Sequence, residues 1–279
     1  MLNFFNQLKT FNRQRVTTRR NAKFQTVFSN DFDRAGLQLD ALQPLLVNTF
    51  THHNKINGRK DFAVYSTFFG DSNARTFNKT DINQEFDHFF ISNNKQILNM
   101  ATDRGWHPIH LDLPISTNRV LSAQQSKIPK ALPHLFPALK NYDSLFYIDD
   151  KVSFNATQMY QQSQILIQKK QALMMREHPS LKHNILNELS VAMIQPRYQS
   201  QREQAVAYIT AQIKQGCDLN VKNLYWTSAI LRNMNHPDTI RIGENWYEAI
   251  LSCGIECQIS FDFVAQNYKS ILLMPHNIN

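Results

Sequence analysis

Asp149 and Asp150 follow the apolar run Ser144-Leu145-Phe146-Tyr147-Ile148 without a break. In open α/β sheets, ligands bind beyond the carboxyl ends of the strands. Two carboxylates at that place can hold Mg2+ or Mn2+, hard cations that take oxygen ligands and bridge phosphates. A cation there would stabilise the charge that develops when a diphosphate departs. On local sequence alone, the alternative is a strand ending in a solvated Asp-Asp turn. Upstream, Lys127, Lys130 and His134 stand at i, i+3 and i+7, one helical face if the intervening prolines allow it. A basic face beside Asp149 would favour a leaving diphosphate; otherwise it is an ordinary solvated surface. Arg119 lies in the loop before it.

The elements that must position these residues are legible as periodic runs. Phe62–Phe69 is a β-rich stretch stopped by Gly70-Asp71, Phe86–Ile91 is stopped by Ser92-Asn93-Asn94, and Trp106–Leu113 alternates and precedes Pro114. With Ser144–Ile148 these read as four strands. Helical spacing runs through Ala123–Leu139, broken by Pro129, Pro133 and Pro137. It returns over Ala156–Gln171, His183–Met193, Arg202–Gln215, Asn245–Leu251 and Gln258–Tyr268. Strands alternating with helices at this spacing indicate an α/β sheet with crossovers. Residues 1–57 read as a basic, partly helical extension, with an amphipathic stretch near Asp40–Phe50, and 58–279 as the α/β domain.

Composition narrows the chemistry. The 279 residues are 42% hydrophobic with 19 Phe, which suits a globular body. Seven glycines and the absence of G-x-G-x-x-G or G-x-x-x-x-G-K-[ST] argue against the common dinucleotide and P-loop sites. No G-x-S-x-G supports a serine hydrolase. Cys217, Cys253 and Cys257 make no disulfide framework and favour a reducing, cytoplasmic setting. Two thiols four residues apart, with no second pair, do not make a zinc site. The net charge of +8 favours anionic partners. Lys9, Arg13, Arg15, Arg19, Arg20 and Lys23 carry much of it, with no acid in the first thirty residues. Leu8, Phe11, Phe4 and Phe5 fall at helical spacings there, so residues 1–30 are expected to lie on an anionic membrane face rather than span it. A basic tail with no lipid role is the alternative. The body shows no basic motif interleaved with aromatics, so nucleic acid is not an expected partner.

Lys127-Ile128-Pro129-Lys130-Ala131-Leu132-Pro133-His134, then Phe136-Pro137, then Tyr147-Ile148-Asp149, resembles the TOD/MUCI-type glycosyltransferase-like family of plants and bacteria. That family carries K-x-x-K-x-x-P-H, a Phe-Pro, and a W-I-D-G turn that ends a strand. The resemblance runs from about Phe62 to Phe263. It takes in Val64–Gly70, Gly105-Trp106, Arg176-Glu177-His178-Pro179, Glu188, Arg232, Trp246 and Gln258-Ile259-Ser260-Phe261. Three departures stand out. The Asp-Gly turn is Asp149-Asp150, an Asp after the second strand is Ser92, and the Arg-Asp of the closing R-D-Q-[IL]-S-F is Glu256-Cys257.

The resemblance implies a GT-A-like nucleotide-sugar-binding fold, with a central mostly parallel sheet flanked by helices. It further implies transfer of a sugar from a nucleotide sugar donor to a carbohydrate or lipid-linked acceptor, in surface polysaccharide or lipopolysaccharide assembly. Asp149 and Asp150 would hold Mn2+ or Mg2+. Asp149 and Glu256 are the expected catalytic carboxylates, Glu256 standing one residue from the lost Asp. Lys127, Lys130, His134 and Arg119 would face the diphosphate, and Arg176, His178, Glu188, Arg232, Trp246 and Gln258 would line the substrate. For Trp246 the core is the stronger alternative. The missing Arg-Asp motivates a second reading, a sugar- or nucleotide-binding module that has lost catalysis. A basic nucleic-acid-binding protein is the third.

Overall fold

The computed structural model describes residues 60–71 and 82–275, together with Gln38, Leu39 and Leu42. The expected extension 1–57, its membrane-facing segment and the amphipathic stretch near Asp40–Phe50 therefore lie almost wholly outside the described residues. Leu42 is fully buried in the core of the body.

The four strands read from sequence are β1 (Phe62–Thr67), β2 (Asp87–Ser92), β3 (His107–His110) and β4 (Ser144–Ile148). Three more complete the sheet: β5 (Leu173–Glu177), β6 (Tyr225–Asn233) and β7 (Ile271–Leu273). Their order is β3-β2-β1-β4-β6-β5-β7. β1 to β4 are parallel, β6 runs against both β4 and β5, and β7 runs with β5. Six strands thus point one way and β6 the other. The chain has the expected α/β architecture, a mostly parallel central sheet flanked by helices.

Both faces of the sheet are covered, so its central strands are apolar throughout rather than alternating. Phe62, Val64, Phe146 and Ile148 face one layer, formed with α1 (Lys95–Thr102) and α3 (Ala156–Gln168). Ala63, Tyr65, Leu145 and Tyr147 face the other. That second layer holds α2 (Arg119–Ala131), α6 (Arg202–Lys214), α7 (Pro237–Cys253) and α8 (Cys257–Ala265). Two shorter helices, α4 (Ile185–Ala192) and α5 (Pro196–Gln199), fill the connection between β5 and α6.

Asparagine starts many of these helices. Asn94, Asn118, Asn155 and Asn184 each accept a backbone N–H of the first turn of α1, α2, α3 and α4, satisfying donors with no partner inside the helix. α7 begins further upstream than its apolar spacing suggests. His236 caps it, Pro237 occupies its first position and Asp238 its first turn, a start that Gly243 obscures in a periodicity count. Helical structure in α2 ends at Ala131, and Pro133–Leu135 is a separate 3-10 turn. The i, i+3, i+7 face therefore holds for Lys127 and Lys130 but not for His134. Among the described residues, no helix is long and apolar enough to cross a membrane.

Candidate active site

Asp149 emerges from β4 at the edge where the parallel strands end. Its N–H donates to Ser228 O at 2.8 Å, tying it to the reversed strand β6. Lys130 reaches it from the last turn of α2, with Nζ 3.2 Å from Oδ1. The same oxygen accepts the Tyr147 hydroxyl at 2.6 Å. The Lys130 side chain is only 3% exposed against 34% for Asp149, so the cation is sealed in while the carboxylate still meets solvent. Lys130 also lies 5.0 Å from the Tyr147 ring centroid, a further attraction for a cation. Burial alone would raise the Asp149 carboxyl. The charges of Lys130 and Lys127, and hydrogen bonds from Tyr147 and Ser228, outweigh it and hold the group below its ordinary value. Lys130 moves the complementary way. Its burial is overcome chiefly by Asp149, with Cys257 and Glu256 adding, so it stays charged.

Asp150 follows at half-burial. Two adjacent carboxylates at a strand end fit a hard divalent cation. Among the described residues, no group of three or more His, Cys, Asp and Glu could hold a metal ion. A cation at Asp149 and Asp150 would therefore complete its shell with phosphate and water oxygens, as Mg2+ commonly does.

Arg232 lies inside, beneath this pair. Its guanidinium donates to the Tyr65 hydroxyl at 2.8 Å and to Lys130 O at 2.5 Å, and the residue is 2% exposed. It braces the backbone that carries Lys130 and does not face solvent. Burial, partly offset by Arg232, pushes the Tyr65 phenol up to about 12. His134 turns toward α7, with Nε2 3.4 Å from Glu244 Oε1. Burial first, and Arg232 second, bring it down to about 4, so it is neutral and adds no cation at Asp149. Arg119 is exposed at the start of α2. Trp246 is core: it is 1% exposed, its indole N–H donates to Cys257 O at 2.9 Å, and Phe261 meets it edge-on at 5.0 Å.

A second group gathers along the same edge, beyond β6. Gln258 Oε1 accepts Thr227 N–H at 3.3 Å, one residue from the Ser228 that pairs with Asp149. The Gln258 side chain also hydrogen-bonds Glu188, and Glu188 Oε2 lies 3.5 Å from His178 Nε2. Glu256 caps α8 by accepting Gln258 N–H at 3.3 Å and takes a hydrogen bond from Tyr198. Arg176 sits on β5 with its guanidinium 5.8 Å from the Trp226 ring centroid.

Three contributors were hidden in the sequence. Tyr147 and Ser228 both hydrogen-bond Asp149. Tyr147 could have been found, since a residue two before Asp149 on a strand shares its face. In the sequence Asn93 marks only a strand stop. Its side chain accepts Gly70 N–H at 3.3 Å and donates to Pro114 O at 2.9 Å and Gln125 Oε1 at 3.2 Å. It thereby joins the ends of β1 and β2 to α2. Gly70 has φ of +113°, and a Cβ there would stand 2.7 Å from Ser122 Oγ.

No family model matches the sequence, and no curated protein matches it. Among solved structures, the chain is similar to apo mouse xyloside xylosyltransferase 1, with a TM-score of 0.42 and 8% identity over 77% of this chain and 84% of that one. It is similar to the apo bifunctional glycosyltransferase WbbM, with a TM-score of 0.42 and 11% identity over 81% of this chain, spanning 41% of that protein. It is also similar to the mannosyltransferase Ktr4p from S. cerevisiae, with a TM-score of 0.40 and 9% identity over 94% of this chain and 78% of that one.

Proposed function

We propose that the chain transfers a sugar from a nucleoside diphosphate sugar to a carbohydrate or lipid-linked acceptor. The observation that carries this reading is the sealed Lys130 held against the half-open Asp149 at the end of β4. A fixed cation and a carboxylate at the ligand-binding edge of an α/β sheet suit a diphosphate and its counter-ion. Lys127 adds charge toward the same carboxylate. Asp149, with Asp150 beside it, would hold Mn2+ or Mg2+, which when bound offsets the charge on the departing diphosphate. The chain's own part is to fix Asp149 through Tyr147, Ser228 and the sealed Lys130 and to present Lys127. Kinship with the TOD/MUCI-type family and a place in surface polysaccharide assembly belong to the same proposal, and rest on the Lys/Pro/His segment and the Tyr-Ile-Asp turn.

The test is thermal unfolding with UDP or GDP, with and without Mn2+. A ligand that binds only the folded state stabilises by RT ln(1 + [L]/Kd), about 2.7 kcal/mol at a hundredfold excess over Kd. One of the diphosphates is expected to raise Tm by several degrees with Mn2+. Asp149→Ala is expected to abolish the shift, and Lys127→Ala to weaken the diphosphate more than the monophosphate. An unchanged shift in Asp149→Ala sinks the assignment.

A lipid-linked acceptor would suit an enzyme kept at an anionic membrane face by residues 1–30. The full chain should float with anionic liposomes at low salt and be partly released at high salt, because each basic residue near such a surface contributes about 1 kcal/mol. A chain starting at Asn57 should not float. Equal behaviour of the two would remove the anchoring role.

A further inference from the structure

Sugar transfer to a hydroxyl needs a group that takes the hydroxyl proton. Five candidates stand on the edge beyond β6: Glu177, Glu256, Asp262, His178 and Glu188. Glu177, the last residue of β5, is paired with Lys182, whose Nζ lies 3.0 Å from Oε2. Glu256 is committed to capping α8 through Gln258 N–H and to Tyr198. Asp262 is 2% exposed, with Oδ1 taking Tyr225 N–H at 3.0 Å. His178 Nδ1 accepts two backbone N–H groups, from Ser180 at 3.2 Å and Leu181 at 2.9 Å. Its ring proton must then sit on Nε2, which leaves His178 only a donor, aimed at Glu188. Glu188 remains. It sits in the first turn of α4, and its carboxylate is oriented from two sides by His178 and Gln258. These two donors take two of its roughly four lone-pair sites. Through Gln258 and Thr227 it is joined to the strand segment that holds Asp149.

We propose that Glu188 is the general base of this transfer. The inference rests on the glycosyl-transfer reading. The acceptor oxygen forms the new bond to the anomeric carbon while its proton passes to Glu188. The bond from that carbon to the diphosphate oxygen breaks, and its electron pair leaves with the diphosphate. His178 and Gln258 are positioning residues that hold the carboxylate. Burial first, and the neighbouring Glu256 second, raise Glu188 to about 7, with Gln258 opposing them. The other charged groups facing it are Asp262 from α8 and, through His178, Lys182 from the loop after β5. A base of this strength suits neutral pH, and base catalysis contributes on the order of 10^2 to 10^4 in rate.

The test uses the full chain with a panel of UDP- and GDP-hexoses and Mn2+, water serving as the acceptor. Nucleoside diphosphate release is followed against pH, and diphosphate binding is read by thermal shift. The wild type is expected to gain rate through pH 7 and level off above it. Glu188→Gln should lose about a hundredfold or more in rate and lose the rise with pH, with diphosphate binding unchanged within about twofold. Glu188→Asp should keep the rise at reduced rate. The assignment is overturned if Glu188→Gln keeps its rate and pH limb. It is also overturned if the wild type binds a diphosphate but releases none from any donor, which leaves the donor-site reading standing. A wild type that binds no diphosphate overturns both.

Discussion

Arg232→Ala should lower Tm by roughly 10 °C. The side chain is 2% exposed and donates to Tyr65 and to the carbonyl of Lys130. Truncation leaves two buried acceptors without their donor and opens a cavity. Each buried acceptor left unsatisfied costs about 1–3 kcal/mol, and each kcal/mol moves Tm by about 2–4 °C in a domain of this size. Arg232→Met fills the space without the charge, so it should lose less, because an apolar side chain of similar volume pays no desolvation. Calorimetry of the three proteins decides it. A Tm within 2 °C of wild type for the Ala variant would mean that the guanidinium contributes nothing net. Both variants should also weaken diphosphate binding, since the carbonyl that Arg232 holds belongs to the residue that contacts Asp149.

The second large effect is expected at Gly243. It lies within α7, where a Cβ would collide with Ala131 O, at the last turn of α2. Replacing a mid-helix glycine with alanine ordinarily stabilises by about 1 kcal/mol. Here the backbone of a neighbouring helix occupies the space, and overpacking costs about 1–3 kcal/mol or more, so the sign reverses. Gly243→Ala should be less stable and should also lose diphosphate affinity, because α7 would push away the turn that carries Lys130. Thermal unfolding and diphosphate titration of the variant test both parts. A more stable variant would show that the two helices separate easily.

The strands that carry Asp149 and its parallel neighbours were legible because both their faces are buried, which makes them continuous apolar runs. β5 and β6 were not. β5 offers only Leu173-Met174-Met175 before Arg176 and Glu177, too short and too rich in methionine to mark a strand. β6 carries Thr227, Ser228, Arg232 and Asn233; its buried polar groups are paired by tertiary contacts that no local pattern announces. The same limit governed the site. Lys130 and Asp149 could be brought together from a helical spacing and a strand end. Spacing also groups His134 with them, but Pro133 interrupts the helix. Sequence resemblance puts Arg232 against the substrate, whereas it is interior, because its partners, Tyr65 and Lys130 O, are distant in sequence. Nearness to a motif position singles out Glu256 in the sequence, while Glu188, expected among the substrate-lining residues, is the carboxylate held by His178 and Gln258.

The place of β4 in the sheet bears on how the chain reaches its folded state. Its partner on one side, β1, precedes it by about eighty residues, and its partner on the other, β6, follows by about as many. Contacts between such distant segments must close large loops before they stabilise anything, which slows folding. Until Tyr225–Asn233 has emerged from the ribosome, the apolar run Ser144–Ile148 has an open edge, the kind of surface on which unfinished chains associate. Asp149 acquires its Ser228 partner only when that last pairing forms. A ribosome-bound chain ending before β6 would therefore hold the β4 acid without the strand that fixes it, and would depend on chaperones to stay apart from its neighbours.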